Sequence, residues 1–150
     1  MNIGLFHAVA VALLLSAPAV AVAQDRFVAM LTLPTGQTVV VAEGDFEARS
    51  MGSFSVRLYE AASAPDETTF FITGLIRPRE GVLENVVLAE IDGDQQPEII
   101  VIARSVGTGG YLSAQAFSLA QGPLVLRGAV ENLDPAADPV AALRDSSTVY

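Results

Sequence analysis

The chain has no cysteine and no tryptophan, and its eight basic residues are all arginine, so it has no lysine either. Its one histidine, His7, lies in an N-terminal segment that reads as a removable leader. Each absence excludes a chemistry from the mature part. Without imidazole or thiol there is no Ser-His-Asp or Cys-His nucleophilic centre within one chain. Without an amine side chain there is no Schiff-base lysine. Zinc sites of the usual histidine and cysteine type are excluded too. With no disulfides, stability has to come from a packed core. Carboxylates, tyrosine, serine and arginine are the only groups left for catalysis, so the composition favours a protein that binds over one that catalyses. No cofactor is expected.

Charge is also scarce at the start. Residues 1–23 carry no Asp, Glu, Lys or Arg. An apolar run from Val9 to Leu15 is followed by Ser16 and Pro18, then by Ala21-Val22-Ala23. This is the order of a signal peptide, with cleavage expected before Gln24. The run is short for a bilayer span and Pro18 interrupts it, so no membrane attachment is expected after cleavage. Residues 24–150 then form a single domain that carries all 17 acidic residues and a formal net charge of −9. That balance argues against binding a nucleic-acid backbone, which needs a basic face. It suits a soluble protein that is steered toward a basic partner.

The mature sequence reads as short strands separated by turns. Arg26 to Leu33 is followed by the turn Pro34-Thr35-Gly36 and by Gln37 to Ala42. Ser53 to Glu60 alternates with period two, with Phe54, Val56 and Leu58 on one face, the pattern of a half-buried strand. Thr68 to Arg77 is rich in residues that suit a pleated surface, and Pro78 to Gly81 is expected to break it. Asn85 to Ile91 and Glu98 to Arg104 form the next pair. The run Ile99-Ile100-Val101-Ile102 is apolar on both faces, which predicts a central strand covered on both sides. Tyr111 to Leu119 and Leu124 to Val130 are the last two, joined by Gln121-Gly122-Pro123. The expected fold is all-β, an eight-stranded antiparallel sandwich. Asp138-Pro139 is an N-cap followed by an N1 proline, which predicts a short C-terminal helix over Pro139 to Arg144. The exposed edge of a sheet would allow a homodimer.

Three segments carry candidate function. Ser105-Val106-Gly107-Thr108-Gly109-Gly110-Tyr111 has three glycines, two hydroxyls and a phenol. The glycines let a loop project from a sheet, and Tyr is a rigid anchor typical of binding hot spots. No lysine follows and the loop leads into a strand, so it is not a phosphate cradle. Second, Glu90, Asp92, Asp94 and Glu98 place carboxylates at alternating positions, as short calcium loops do. The simpler reading is a turn bent by Asp92-Gly93 with solvated acids. It is preferred because Glu90 replaces the shorter Asp usual at a first ligand position, and Gln95 sits where such loops generally want Gly. Third, the carboxylates of Glu43-Gly44-Asp45-Phe46-Glu47 could form an acid/base pair, but a charged surface loop is the plainer account.

The run from Glu98-Ile99-Ile100-Val101 through Arg104-Ser105-Val106-Gly107-Thr108-Gly109-Gly110-Tyr111-Leu112-Ser113-Ala114 resembles the periplasmic inhibitors of invertebrate-type lysozyme. The segment from Glu43 to Tyr59 is similar as well, and the likeness extends over most of the mature domain. It implies an antiparallel β-sandwich, a periplasmic location and a lysozyme as protein partner. It further implies that a loop carrying a hydroxyl residue, Gly and Tyr enters the enzyme's cleft. Related inhibitor families carry Ser-Gly-x-x-Tyr. The nearest match here is Thr108-Gly109-Gly110-Tyr111, one residue shorter and beginning with Thr. Ser105, followed at two residues by Gly107, is the rival for the hydroxyl role. The alternative functions are a calcium-stabilised extracytoplasmic binding or adhesion module, resting on Glu90, Asp92, Asp94 and Glu98, and a carboxylate-dependent glycan hydrolase. The latter is disfavoured by the absence of tryptophan, the usual sugar-stacking side chain.

Overall fold

The structure is a computed structural model and describes residues 25–119 and 122–147. The expected leader, its cleavage point before Gln24, and Gln121 of the last turn lie outside the described residues. Among the described residues, eight strands form two four-stranded sheets, each with its strands in chain order. Sheet A is β1 (Val28–Thr32), β2 (Thr38–Glu43), β3 (Met51–Tyr59) and β4 (Phe71–Glu80). Sheet B is β5 (Val82–Ala89), β6 (Glu98–Arg104), β7 (Leu112–Leu119) and β8 (Leu124–Leu133). Every pairing is antiparallel. One helix follows, α1 (Pro139–Ser147).

The inner faces of the sheets close on each other. Val39 and Val41 of β2 and Phe54, Val56 and Leu58 of β3 pack against Leu83, Val86, Ile99, Val101, Ala103 and Phe117. The Phe54 and Phe117 rings meet edge-on across the gap, with centroids 6.1 Å apart at 74°. Such a pair adds about 0.5–1.5 kcal/mol beyond its burial.

Strand β6 is buried along almost its whole length. Ile99, Val101 and Ala103 face the sandwich, whereas Ile100 and Ile102 face a second core under α1. Leu143 of α1 is fully buried there. The helix starts as expected, with Asp138 Oδ1 accepting the N–H groups of Val140 (2.9 Å) and Ala141 (3.3 Å). It runs three residues beyond the expected end, to Ser147.

The fold corrects the sequence reading around residues 78–91. Strand β4 does not break at Pro78 but continues to Glu80. Pro78 is tolerated because β4 is an edge strand, where a missing N–H need not leave a ladder gap. The chain then crosses between sheets at Gly81 alone, and β5 begins at Val82 instead of Asn85. Gly81 has φ +78° and lies so close to Arg104 that a Cβ would fall 2.0 Å from its carbonyl oxygen. No other residue fits that crossing.

Glu43 and Glu47 are not a solvated surface pair. Glu43 is 8% exposed, and its Oε1 accepts the Leu83 N–H of the opposite sheet at 2.6 Å. The Arg79 side chain is fully buried beside it, with Nε 4.0 Å from Glu43 Oε1 and Nη2 3.5 Å from Glu47 Oε2. Arg79 also donates to the carbonyls of Ser53 (3.1 Å), Arg49 (3.2 Å), Ala48 (3.2 Å) and Gly81. Glu47 in turn accepts the Ser53 N–H (2.6 Å) and hydroxyl (2.7 Å). These two bonds, then Arg79 and Arg26, hold its carboxyl below the usual range despite partial desolvation.

Two stability predictions follow from these contacts. Arg79→Met leaves the buried Glu43 carboxylate with only Arg26, whose Nη1 lies 3.9 Å from its Oε2, as charge partner, and is expected to cost about 3–5 kcal/mol in urea unfolding at neutral pH. Adding Glu43→Gln removes that stranded charge, so the double variant should lose less than the sum of the two single ones. Leu143→Ala opens a cavity between α1 and sheet B and should cost about 2–5 kcal/mol in the same measurement.

Candidate functional site

The loop between β6 and β7 stands at one end of the central strand β6. Its base is closed by a hydrogen bond from the Ser105 N–H to the Tyr111 carbonyl, at 2.9 Å. Its tip is a turn in which the Gly110 N–H donates to the Gly107 carbonyl at 3.3 Å. Thr108 therefore occupies the tip and is exposed, while Ser105 sits half-buried at the base. The two candidate hydroxyls are separated by this geometry.

Tyr111 is 52% exposed, more than an ordinary strand residue of this core, and lies just before β7 instead of starting it. Its ring rests on the backbone of Gly109. A Cβ at residue 109 would fall 2.1 Å from ring atom Cε2 and 2.6 Å from Cδ2. Gly110 takes φ +57°, the left-handed turn that brings the chain back toward β7. Gly107 has open space around it and no such constraint. Two of the glycines thus shape the loop, and the third only keeps the tip thin.

The loop is further fixed from below by residues the sequence reading did not single out. Arg104 Nη1 donates to the Gly110 carbonyl at 2.9 Å, and Nη2 donates to Glu84 Oε1 of β5 at 2.9 Å. The hydrogen bonds from Arg104 hold the Glu84 carboxyl below its usual range, against a small desolvation effect. The signal for this was present in outline: an arginine closes β6, one residue before the loop. Residues 105–111 carry no charge, so the projecting surface is neutral and rich in O–H groups.

Beside the loop lies a cleft of about 230 Å³ between β4, β7 and β8. Ser105, Tyr111, Arg77, Gln115, Glu131 and Asn132 are among its lining residues. Arg77 Nε donates to Gln115 Oε1 at 3.0 Å, and Gln115 Nε2 donates to the Pro78 carbonyl at 3.2 Å, which ties the two sheets together at this edge.

The acidic loop between β5 and β6 lies at the other end of β6. The structure brings carboxyl oxygens of Glu90, Asp92 and Glu98 within 4.8 Å of one another, while Asp94 stands outside that group and caps the Gln96 N–H at 2.7 Å. The expectation of solvated acids holds for Asp92 and Asp94 but not for Glu98, which is fully buried. Asp92 Oδ2 pairs with Arg127 Nη2 at 2.9 Å.

Comparison with known proteins points one way. Residues 25–147 match the family of periplasmic lysozyme inhibitors of I-type lysozyme. The periplasmic inhibitor of I-type lysozyme from Aeromonas hydrophila is similar in structure, with a TM-score of 0.71 and 45% identity over 78% of this chain and 98% of that one. The same Aeromonas hydrophila protein in complex with Meretrix lusoria lysozyme is likewise similar, with a TM-score of 0.71 and 45% identity over 79% of this chain and 95% of that one. No curated protein sequence matches the chain.

Proposed function

The chain belongs to the family of periplasmic inhibitors of I-type lysozyme, and we propose that it inhibits such a lysozyme by inserting its β6–β7 loop into the active-site cleft. The observation that supports this loop is its form: a narrow, neutral, hydroxyl-bearing tip braced from beneath by Arg104, with Tyr111 half-exposed on the Gly109 backbone.

A glycosidase cleft holds two carboxyl groups, one of them a proton donor. A neutral loop with O–H donors can hydrogen-bond both without bringing in charge, each such bond to a charged group being worth about 1.5–3 kcal/mol. Thr108, at the exposed tip, is the hydroxyl positioned to enter. Ser105, at the base, serves the loop's closure. Tyr111 then supplies the larger contact area at the rim. The bracing matters for affinity because a loop already in its bound shape loses little conformational entropy on binding. The acidic surface, with a net charge of −9 for the chain, draws in a basic enzyme and raises the association rate. Inhibition is by occlusion, with no bond made or broken.

The test is a titration of the mature protein against I-type lysozyme. Potent inhibition is expected, and its absence would remove this reading. Tyr111→Ala should weaken inhibition by at least about 30-fold, which corresponds to about 2 kcal/mol. Thr108→Val should weaken it as well, whereas Ser105→Ala should change it little. An unimpaired Tyr111→Ala variant would move the contact surface away from this loop, even if the protein still inhibits.

A further inference from the structure

The acids at the far end of β6 do more than bend a turn. Oε2 of Glu98 accepts the Ile91 N–H at 3.0 Å, but its Oε1 is buried and has no hydrogen-bond partner among the described residues. Glu90 is in the same condition. Its Oε1 accepts the N–H groups of Asp92 (3.0 Å) and Gly93 (2.7 Å), and its buried Oε2 has no hydrogen-bond partner among the described residues. A carboxylate oxygen removed from water and given no donor is strongly unfavourable. Here there are two, with Asp92 beside them.

We infer that Glu90, Asp92 and Glu98 form a site for a divalent cation, with calcium the ion whose chemistry fits. The donors are all oxygen, which suits a hard cation. Calcium takes its oxygens at about 2.3–2.6 Å, so ligands around one ion lie no more than about 5 Å apart, and this cluster meets that limit. Glu98 forms the buried floor, and Asp92 forms an exposed rim through which an ion and its remaining waters enter.

Charged groups bear on the cluster from three elements, and Asp92 Oδ1 also accepts the Asp94 N–H at 3.2 Å. From the loop itself, Asp94 adds a further negative charge near Glu98. From β8, Arg127 is engaged with Asp92 Oδ2. From α1, Arg144 Nε donates to the Glu90 carbonyl at 2.9 Å. Burial first, then the charges of Asp92, Glu90 and Asp94, pushes the Glu98 carboxyl above its usual range, the same crowding of negative charge that a cation would relieve.

Thermal melting of the protein in chelator and in millimolar calcium tests this. At neutral pH calcium should raise the melting temperature by about 5 °C. Glu98→Gln, which mimics the protonated form, should abolish the calcium response and melt above chelated wild type at neutral pH. Should that variant fail to fold, Asp92→Asn on the exposed rim should reduce the calcium shift. A wild-type melting temperature unmoved by calcium would overturn the site, and with a stabilised Glu98→Gln variant it would assign the cluster to a proton shared by Glu90 and Glu98. A calcium shift undiminished in both variants would overturn it equally, by placing the ion elsewhere.

Discussion

The Arg79 guanidinium, fully shielded from water, is where the two sheets, the β2–β3 loop and the crossover meet. Its attractions to Glu43 and Glu47 offset the desolvation of all three charges only because its N–H groups also find carbonyl partners. Glu43 extends the same network into sheet B through the Leu83 N–H. The crossing at Gly81 is a single residue, with no slack to absorb a shift. The position of sheet B over sheet A, and so the alignment of Phe54 with Phe117, depends on this polar knot at the rim of an otherwise apolar interface.

Sheet B carries both the loop proposed to inhibit and the acidic cluster proposed to bind a cation, and β6 joins them. Its seven residues span about 20 Å, with the neutral hydroxyl loop at one end and the acidic cluster at the other. Because β6 is covered on both faces, it behaves as a rigid bar. Each end can then be shaped by local contacts, Arg104 with Glu84 at one and Arg127 with Asp92 at the other, without disturbing its opposite.

Much of this was legible in the sequence where periodicity reports a local environment. The alternation of Phe54, Val56 and Leu58 marked the inner face of β3. The unbroken run from Ile99 to Ile102 marked a strand with two cores, and Asp138-Pro139 marked the start of α1. The loop from Ser105 to Tyr111 was visible as a glycine-rich interruption between strands. What escaped was set by partners distant in sequence. Glu43 continues the inward alternation of Val39 and Val41, yet a carboxylate on a core face makes sense only once Arg79 is known to lie beneath it. Pro78 reads as a break until β4 is seen to be an edge. Glu98 reads as one acid among several until the fold buries it completely, with its Oε2 on the Ile91 N–H. That Thr108 stands exposed at the tip and Ser105 half-buried at the base likewise needed the turn closed by Gly107 and Gly110.

The order of the strands has a consequence for how the chain reaches this state. Both sheets are simple meanders, so every ladder joins neighbours in sequence, and the non-local packing is the face-to-face contact between sheets and the seating of α1 on sheet B. Local ladders close early because their loops are short. A chain delivered from its N-terminus can therefore pair sheet A before β5 has emerged. In that interval the inner surface of Val39, Val41, Phe54, Val56 and Leu58 is an open hydrophobic plate. The vulnerable species is thus half of a sandwich waiting for its lid, and the time to docking of sheet B sets its exposure to aggregation.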